Sequence, residues 1–395
     1  MKLHQKILLI VTLIFCVVII VQFATSAYVP SFPSMEEYFH APRGLIQLTL
    51  VLFLLGLSFA QLLFGSLSDL LGRKPVLLIG FLIFMISSVF CIFSNNIHLL
   101  ILGRFFEGFG IGSGLVVARA IGRDLFSGKK FAQFASYLIA IIVLTRLLSP
   151  IIGGYFDHYL NWRYTFATAL FITVIISILI IAFLPETLPI KKEKNNHLKK
   201  MLKTFKKLLA SKQFIFNTLC ASLSASTTVV YITVTPFLYH HILGIIPMIV
   251  GWLIAFTAIG IMMGNLLNAH LVKIYPMKKL MIMGDLIMIT GSLTMLLFGL
   301  FHVLNLYVII FPMLFLVIGI GFISPNAAAF AFEPFPKIAG STAALFGFIQ
   351  MLTYAIVTYF ATLFQEQNQI VLAILLLVPS IIIGALLITT HLERK

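Results

Sequence analysis

The sequence predicts an all-α polytopic membrane protein, with twelve transmembrane helices in two pseudo-symmetric six-helix halves. Three observations carry this. Of 395 residues, 61% are hydrophobic and only 10% charged, with a mean hydropathy of +1.09, whereas soluble domains carry about 25% charged residues. Apolar runs long enough to cross a bilayer, about 18 residues or more, recur from end to end. Finally, the loops between these runs are basic on one side only, and motifs in the first half are echoed in the second. Phe, at 38 residues, and Leu-rich runs with interspersed Gly suit lipid-packed helices better than barrel strands.

Turn residues and charges place the spans at 7–29, 44–67, 75–94, 97–122, 131–156, 163–184, 214–240, 247–272, 279–301, 304–331, 339–363 and 369–390. The first follows Lys2 and Lys6 as a signal peptide would. It is too long for one, lacks a good small-residue cleavage site and continues into more spans, so it is expected to be the first helix. Cys16, Cys91 and Cys220 all fall inside apolar runs, where they are expected to be small buried hydrophobes.

Lys and Arg set the orientation. Loops 2–3, 4–5, 6–7 and 8–9 hold Arg73, Lys74, Arg123, Lys129, Lys130, the 191–212 lysines, Lys273, Lys278 and Lys279. Opposite loops hold little beyond Arg43 and Arg163, with Glu36, Glu37, Asp157 and Glu366. By the positive-inside rule both termini are cytoplasmic. The segment "KKEKNNHLKKMLKTFKKLLASK" (191–212) carries nine lysines. It is expected to be a basic cytoplasmic linker lying on anionic lipid between an N-terminal half (1–190) and a C-terminal half (213–395), not a nucleic-acid site. The formal charge of +15 is largely this loop.

An internal repeat supports two halves. "GRKPVLLIG" (72–80) aligns with "YPMKKLMIMG" (275–284), and "GFGIGSGLVVAR" (108–119) is echoed by "GIGFISPNAAAF" (319–330). Duplicated halves with a midplane site between them are the architecture of an alternating-access transporter.

Between two hydrocarbon runs lies the polar knot "GSLSDLLGRKP" (65–75). Gly65 allows close helix approach, Gly72 a tight turn, and Asp69 must find a cation or a helix N-terminus. The knot resembles the G-x-L-x-D-x-x-G-R-[RK]-P signature of the major facilitator superfamily. That resemblance implies a cytoplasmic latch between the halves, with Asp69, Gly72 and Arg73 joined by Arg119, Arg123 and Asp124. "RFFEGFGIGSG" (104–114) resembles the span-4 signature of proton-coupled drug antiporters. "SPIIGG" (149–154) resembles their span-5 motif, in which Pro150, Gly153 and Gly154 bend and closely pack the helix. "ARAIGRDLFSG" (118–128) and "SPNAAAFAFEPFPKIAGSTAALFGFIQ" (324–350) resemble the bicyclomycin/chloramphenicol-resistance (Bcr/CflA) branch.

Two departures from that branch stand out. Its span-1 acid, in a "T-D-M-Y-L-P" context, is replaced by Ser26 in "TSAYVP" (25–30), and its span-4 Gln is Glu107. Glu107 falls at membrane depth, where an ionised carboxylate costs at least about 2.5 kcal/mol. Arg104 is one turn earlier on the same face. Desolvation favours the neutral acid and Arg104 the charged one. The pair therefore suits a proton carrier modulated by Arg104, or else a static ion pair.

Arg146 in "LTRLLSPIIGG" sits mid-span, where a cation normally faces a cavity. It is either a cargo-facing cation or a structural Arg bonded to carbonyls near Pro150. Ser26, Tyr28, Tyr231, Thr235 and Asn326 are further cargo-binding candidates, with the alternative that their polar groups satisfy backbone carbonyls. Asp285 and Glu333 are expected as gate or interface charges. His270 and His302 sit at span ends, and no histidine spacing suggests a metal. Nothing supports an enzyme: no phosphate-binding loop with Lys-Ser/Thr is present, and "GFGIGSG" lies in a membrane helix with no preceding strand.

The resemblance implies proton-driven efflux of a drug or small metabolite, without a cofactor, from a bacterial inner membrane. The expected partners are a small-molecule cargo, protons and the bilayer, with the chain acting as a monomer. Two alternatives stay open: transport, in either direction, of an anionic metabolite such as a carboxylate siderophore, and a non-transporting membrane sensor or scaffold.

Overall fold

The computed structural model describes residues 3–188, 197–364 and 368–392. Among them are fourteen α-helices and no strand: α1 (Leu3–Ser26), α2 (Phe32–Phe39), α3 (Arg43–Leu71), α4 (Arg73–Ile92), α5 (Ile97–Leu125), α6 (Gly128–Tyr159), α7 (Arg163–Phe183), α8 (His197–Leu209), α9 (Lys212–Phe237), α10 (Pro247–Leu271), α11 (Met277–Leu300), α12 (Leu306–Phe332), α13 (Ala339–Thr362) and α14 (Gln369–Leu392). Twelve segments are long and apolar enough to cross a membrane, and they follow the expected spans. Glu366 and linker residues 191–196 lie outside the described residues.

Three boundaries differ. The first span does not stop at residue 29. Pro30 and Pro33, each in a first turn where the missing N–H costs nothing, start a 3-10 turn (Val29–Ser31) and then α2. His40, at φ 47°, ends it. The seventh span is prolonged beyond α9 by a π turn, Leu238–Ile242. The linker carries α8, which is only partly the lipid-lying segment expected. Phe205 and Leu208 on α8 are buried against Phe214, Ala331, Phe335 and Leu345 of the second half. Lys203, Lys206 and Lys207 are exposed. The apolar stripe docks on protein because α9, α12 and α13 leave an apolar shelf there.

The repeat is visible in the packing. Gly80 of α4 meets the backbone of Gly110 on α5, and Gly284 of α11 meets that of Gly319 on α12. A side chain at any of these would collide with the facing helix, so small residues set the interhelical distance. The same helices start alike in each half. Asn96 accepts from the His98 amide at 2.8 Å to cap α5, and Asn305 accepts from Tyr307 at 3.0 Å to cap α12. Across the seam between halves, α3 packs on α13 and α6 on α10. Alternating crossings by the twelve candidate spans put the α3–α4, α5–α6 and α10–α11 loops on one face, here termed the basic face.

Candidate functional site

Arg104 and Glu107 form the hub of the first half. Each is 1% exposed. Arg104 Nη1 donates to Glu107 Oε2 at 2.5 Å and Nη2 to the Ala24 carbonyl of α1 at 3.1 Å. Ser88 of α4 donates to Glu107 Oε1 at 2.5 Å. The guanidinium lies 4.1 Å from the Tyr28 ring centroid, 4.0 Å from that of Phe53 and 5.5 Å from that of Phe166. One ion pair thus ties α5 to α1, α3, α4 and α7. In this conformation the carboxylate has both oxygens bonded and no contact with open space.

Arg146 is placed differently. Its side chain is exposed, and Nε donates to Gln22 Oε1 of α1 at 2.9 Å. Tyr354 of α13, in the second half, lies within electrostatic range. Arg146 thus has a first-half partner in Gln22 and a second-half neighbour in Tyr354. Among the described residues its two terminal nitrogens have no hydrogen-bond partner, and no carboxylate pairs with it.

The other cargo candidates are hydrogen-bonded within the helix packing in this conformation. Ser26 donates to the Gln22 carbonyl at 3.1 Å. Tyr28 is buried and bonded to Thr49 at 3.2 Å. Tyr231 shares a 2.6 Å hydrogen bond with Tyr239. Thr235 donates to the Tyr231 carbonyl at 2.7 Å, and the Asn326 amide donates to Asn268 Oδ1 at 2.7 Å. The physical reason is common to them. Apolar surroundings leave a hydroxyl or amide no water, so it takes a carbonyl or side chain within reach.

On the basic face the polar knot is resolved into bonds. Arg73 Nη1 donates to Asp69 Oδ1 at 2.6 Å and to Ser68 at 2.8 Å, and Nε donates to Asp124 Oδ2 at 2.9 Å. These bonds all stay within the first half, between α3, α4 and α5, so the knot itself does not bridge the halves. What reaches across is Arg123, whose guanidinium lies against Gly340 at the start of α13. Ser58 also donates to the Phe348 carbonyl at 3.0 Å. Arg119 is exposed and, with Arg123, lines a cavity of about 460 Å³ between α3, α5, α8 and α13. Gly72 has φ 105°, and the Glu186 carboxylate packs against it. That carboxylate accepts from the Arg73 amide at 2.8 Å and the Lys74 amide at 3.3 Å, capping α4. Glu333 is exposed beside Gln213. Asp285 is buried in α11, facing α14 at Gly384.

Pro150 does not interrupt α6. Gly153 seats the Ala27 carbonyl, and Gly154 seats the Pro247 carbonyl of the second half, so these glycines serve close packing. On the face opposite the basic one, α2 reaches the second half through Glu36, whose Oε2 lies 2.8 Å from His241 Nε2. Glu37 lies 3.8 Å from His240, and Phe32 packs on Phe237 at 5.9 Å. Sequence analysis missed Gln22, Ser88, Glu186 and this Glu–His seam. Their partners are 19 to 205 residues away in the chain, and no local pattern announces such pairs.

Comparison with known proteins adds an independent line. The family model described as Major Facilitator Superfamily matches residues 14–358. An uncharacterized MFS-type transporter, YdgK, of Bacillus subtilis is 30% identical over 84% of this chain and 83% of its own length. Multidrug resistance protein D of Escherichia coli is 26% identical over 97% of this chain and 95% of its own. The bicyclomycin resistance protein homolog of Haemophilus influenzae is 25% identical over 85% and 84%. In fold, a solved D-xylose-proton symporter superposes with a TM-score of 0.76 at 18% identity, covering 96% of this chain and 97% of that one.

Proposed function

Because this chain belongs to the major facilitator superfamily, whose members here are membrane transporters and not enzymes, we propose that it is a proton-coupled exporter of small organic molecules. It works as a monomer in a bacterial inner membrane, with the basic face in the cytoplasm by the positive-inside rule. The names of the drug-resistance relatives support the efflux direction. The two halves rock around a cleft that opens alternately to each side.

The observation that carries the cargo side of this reading is Arg146. It is an exposed cation at membrane depth with Tyr354 of the second half nearby, held by Gln22 through Nε alone. A guanidinium with free terminal nitrogens at membrane depth binds a carboxylate or another acceptor-rich group in bidentate fashion. Cargo bearing such a group is therefore favoured over permanently cationic compounds, and an anionic metabolite is the specific second reading. Glu107 serves in this reading as the static partner of Arg104, since both its oxygens are bonded and it is sealed from the cleft.

The test is substrate-evoked proton movement in proteoliposomes loaded with a pH dye, comparing wild type, Arg146→Gln and Glu107→Gln. Cationic dyes and polycarboxylates are offered in turn. Carboxylate-evoked proton flux that Arg146→Gln abolishes and Glu107→Gln retains supports the reading. Flux abolished by Glu107→Gln returns the proton-carrier role to that residue. Transport without proton movement in wild type removes the coupling.

A further inference from the structure

We propose that the basic-face cavity between the halves is a binding site for a phosphate-class anion, either the headgroup of an anionic lipid or a soluble phosphate. The site is separate from Arg146, and binding there ties the two halves together on the basic face.

Charge is the first argument. Of the groups lining the cavity, Arg73, Arg119 and Arg123 are cationic and Asp69 and Asp124 anionic, three against two. Both aspartates are bonded to Arg73. They lie within electrostatic range of Arg123 but form no ion pair with it. Arg119 and Arg123 have no hydrogen-bond or ion-pair partner among the described residues, and both are exposed to the cavity. Two adjacent guanidinium groups repel each other, and an anion between them reverses the sign of that interaction.

The second argument comes from the other half. α13 starts at Ala339, and Gly340 and Ser341 of its first turn line the same cavity. The residue before it, Ile338, has no side-chain group to cap the helix. The amides of a helix N-terminus carry partial positive charge and bind anions. Here the group nearest that terminus is a cation. A Cβ on Gly340 would fall 2.6 Å from Arg123 Nη1. A guanidinium on a helix N-terminus is unfavourable unless an anion joins them. The helix end belongs to the second half and the two arginines to the first, so one bound anion bridges the seam.

The linker supplies the third argument. Met201, Thr204 and Phe205 of α8 form one wall of the cavity, while Lys203, Lys206 and Lys207 are exposed beside it. A basic amphipathic helix draws anionic headgroups to its surface. About 460 Å³ is ample for a phosphate group with its ester substituent.

The experiment follows thermal unfolding of the full chain in phosphatidylcholine nanodiscs. Sodium phosphate is titrated against sodium chloride at equal ionic strength, and separate nanodiscs contain phosphatidylglycerol. Saturable stabilisation by inorganic phosphate identifies a soluble ligand. Stabilisation by phosphatidylglycerol with no added effect of phosphate identifies the lipid. In either case Arg119→Gln or Arg123→Gln weakens half-saturation about tenfold or more, as expected for loss of a charge-assisted contact. Should these variants fail to fold, Gly340→Ala keeps both charges, displaces Arg123 and weakens the response several-fold. The proposal is overturned if neither probe stabilises beyond chloride, or if the variants respond as wild type does.

Discussion

His241 Nε2 lies 2.8 Å from Glu36 Oε2, joining the π turn after α9 to α2 across the seam between the halves. Glu36 is held in turn by Arg43, whose Nε donates to Oε1 at 3.2 Å. His240 stands 3.8 Å from Glu37, its ring centroid 5.2 Å from that of His241, and Asp157, bonded to Ser34 at 2.6 Å, is also in range. These contacts close the face opposite the basic one, and closure there is the counterpart of access from the basic face.

Glu36→Gln or His241→Ala therefore shifts the population toward opening on that face. A half-exposed pair contributes about 1 kcal/mol, which is roughly a fivefold change in the ratio of the two states. Spin labels on the α2 and α10 ends report the distance distribution. Either variant should populate the form open on that face more than wild type does. Equal distributions in all proteins would show the pairs to be incidental.

Removing one member of the Arg104–Glu107 pair leaves the other buried and uncompensated, at a cost of about 3–5 kcal/mol. Arg104→Leu should lower the unfolding temperature sharply. Arg104→Leu/Glu107→Leu should recover much of the loss, because the pair's desolvation is removed together with its attraction. A double-mutant cycle by thermal unfolding in detergent measures this. An additive cycle would contradict the role of the pair as one structural unit.

Much of this was legible in the sequence, and what was not has a physical cause. Span positions follow from apolar run length, which the bilayer dictates. Arg104 beside Glu107 follows from helical spacing, three residues apart on one face. Whether Glu107 meets solvent does not follow, because that depends on Ser88, Ala24 and three aromatic rings from other helices. The hydroxyls of α9 show the same limit. Ser222, Ser226, Thr233 and Thr235 look like a polar lining in one dimension, yet each donates to a carbonyl three or four residues earlier. The α8 helix was hidden by its lysines, whose number masked the spacing of Met201, Phe205 and Leu208.

Glu186 is a prediction the fold alone permits. Its carboxylate caps α4 from 113 residues away and packs on Gly72. Glu186→Ala should cost about 1 kcal/mol, the usual worth of a helix cap, and loosen the turn that presents Arg73. Gly72→Ala should cost more, since φ 105° strains any side chain and its Cβ meets the carboxylate. Combining the two substitutions should relieve the clash but not the backbone strain. Thermal unfolding of the three variants resolves these contributions. A Gly72→Ala protein as stable as wild type would mean that the turn rearranges freely.

In the proposed reading Arg146 selects the cargo, and Gln22 sets how its guanidinium is presented. Gln22 takes only Nε, and the two terminal nitrogens remain available to a bidentate acceptor. Arg146→Gln should weaken carboxylate cargo about tenfold or more while leaving a neutral or cationic dye unaffected or improved, because an unpaired cation no longer opposes it. Arg146→Lys keeps the charge but not the fork and should fall between the two. Gln22→Ala frees the side chain without removing it, so it should raise the apparent KM for the carboxylate with a smaller change in maximal rate. Counterflow measurements in proteoliposomes, with each variant and both cargo classes, separate these outcomes. If all three variants moved every cargo alike, Arg146 would be a structural cation of α6 and the cleft would owe its selectivity to other groups.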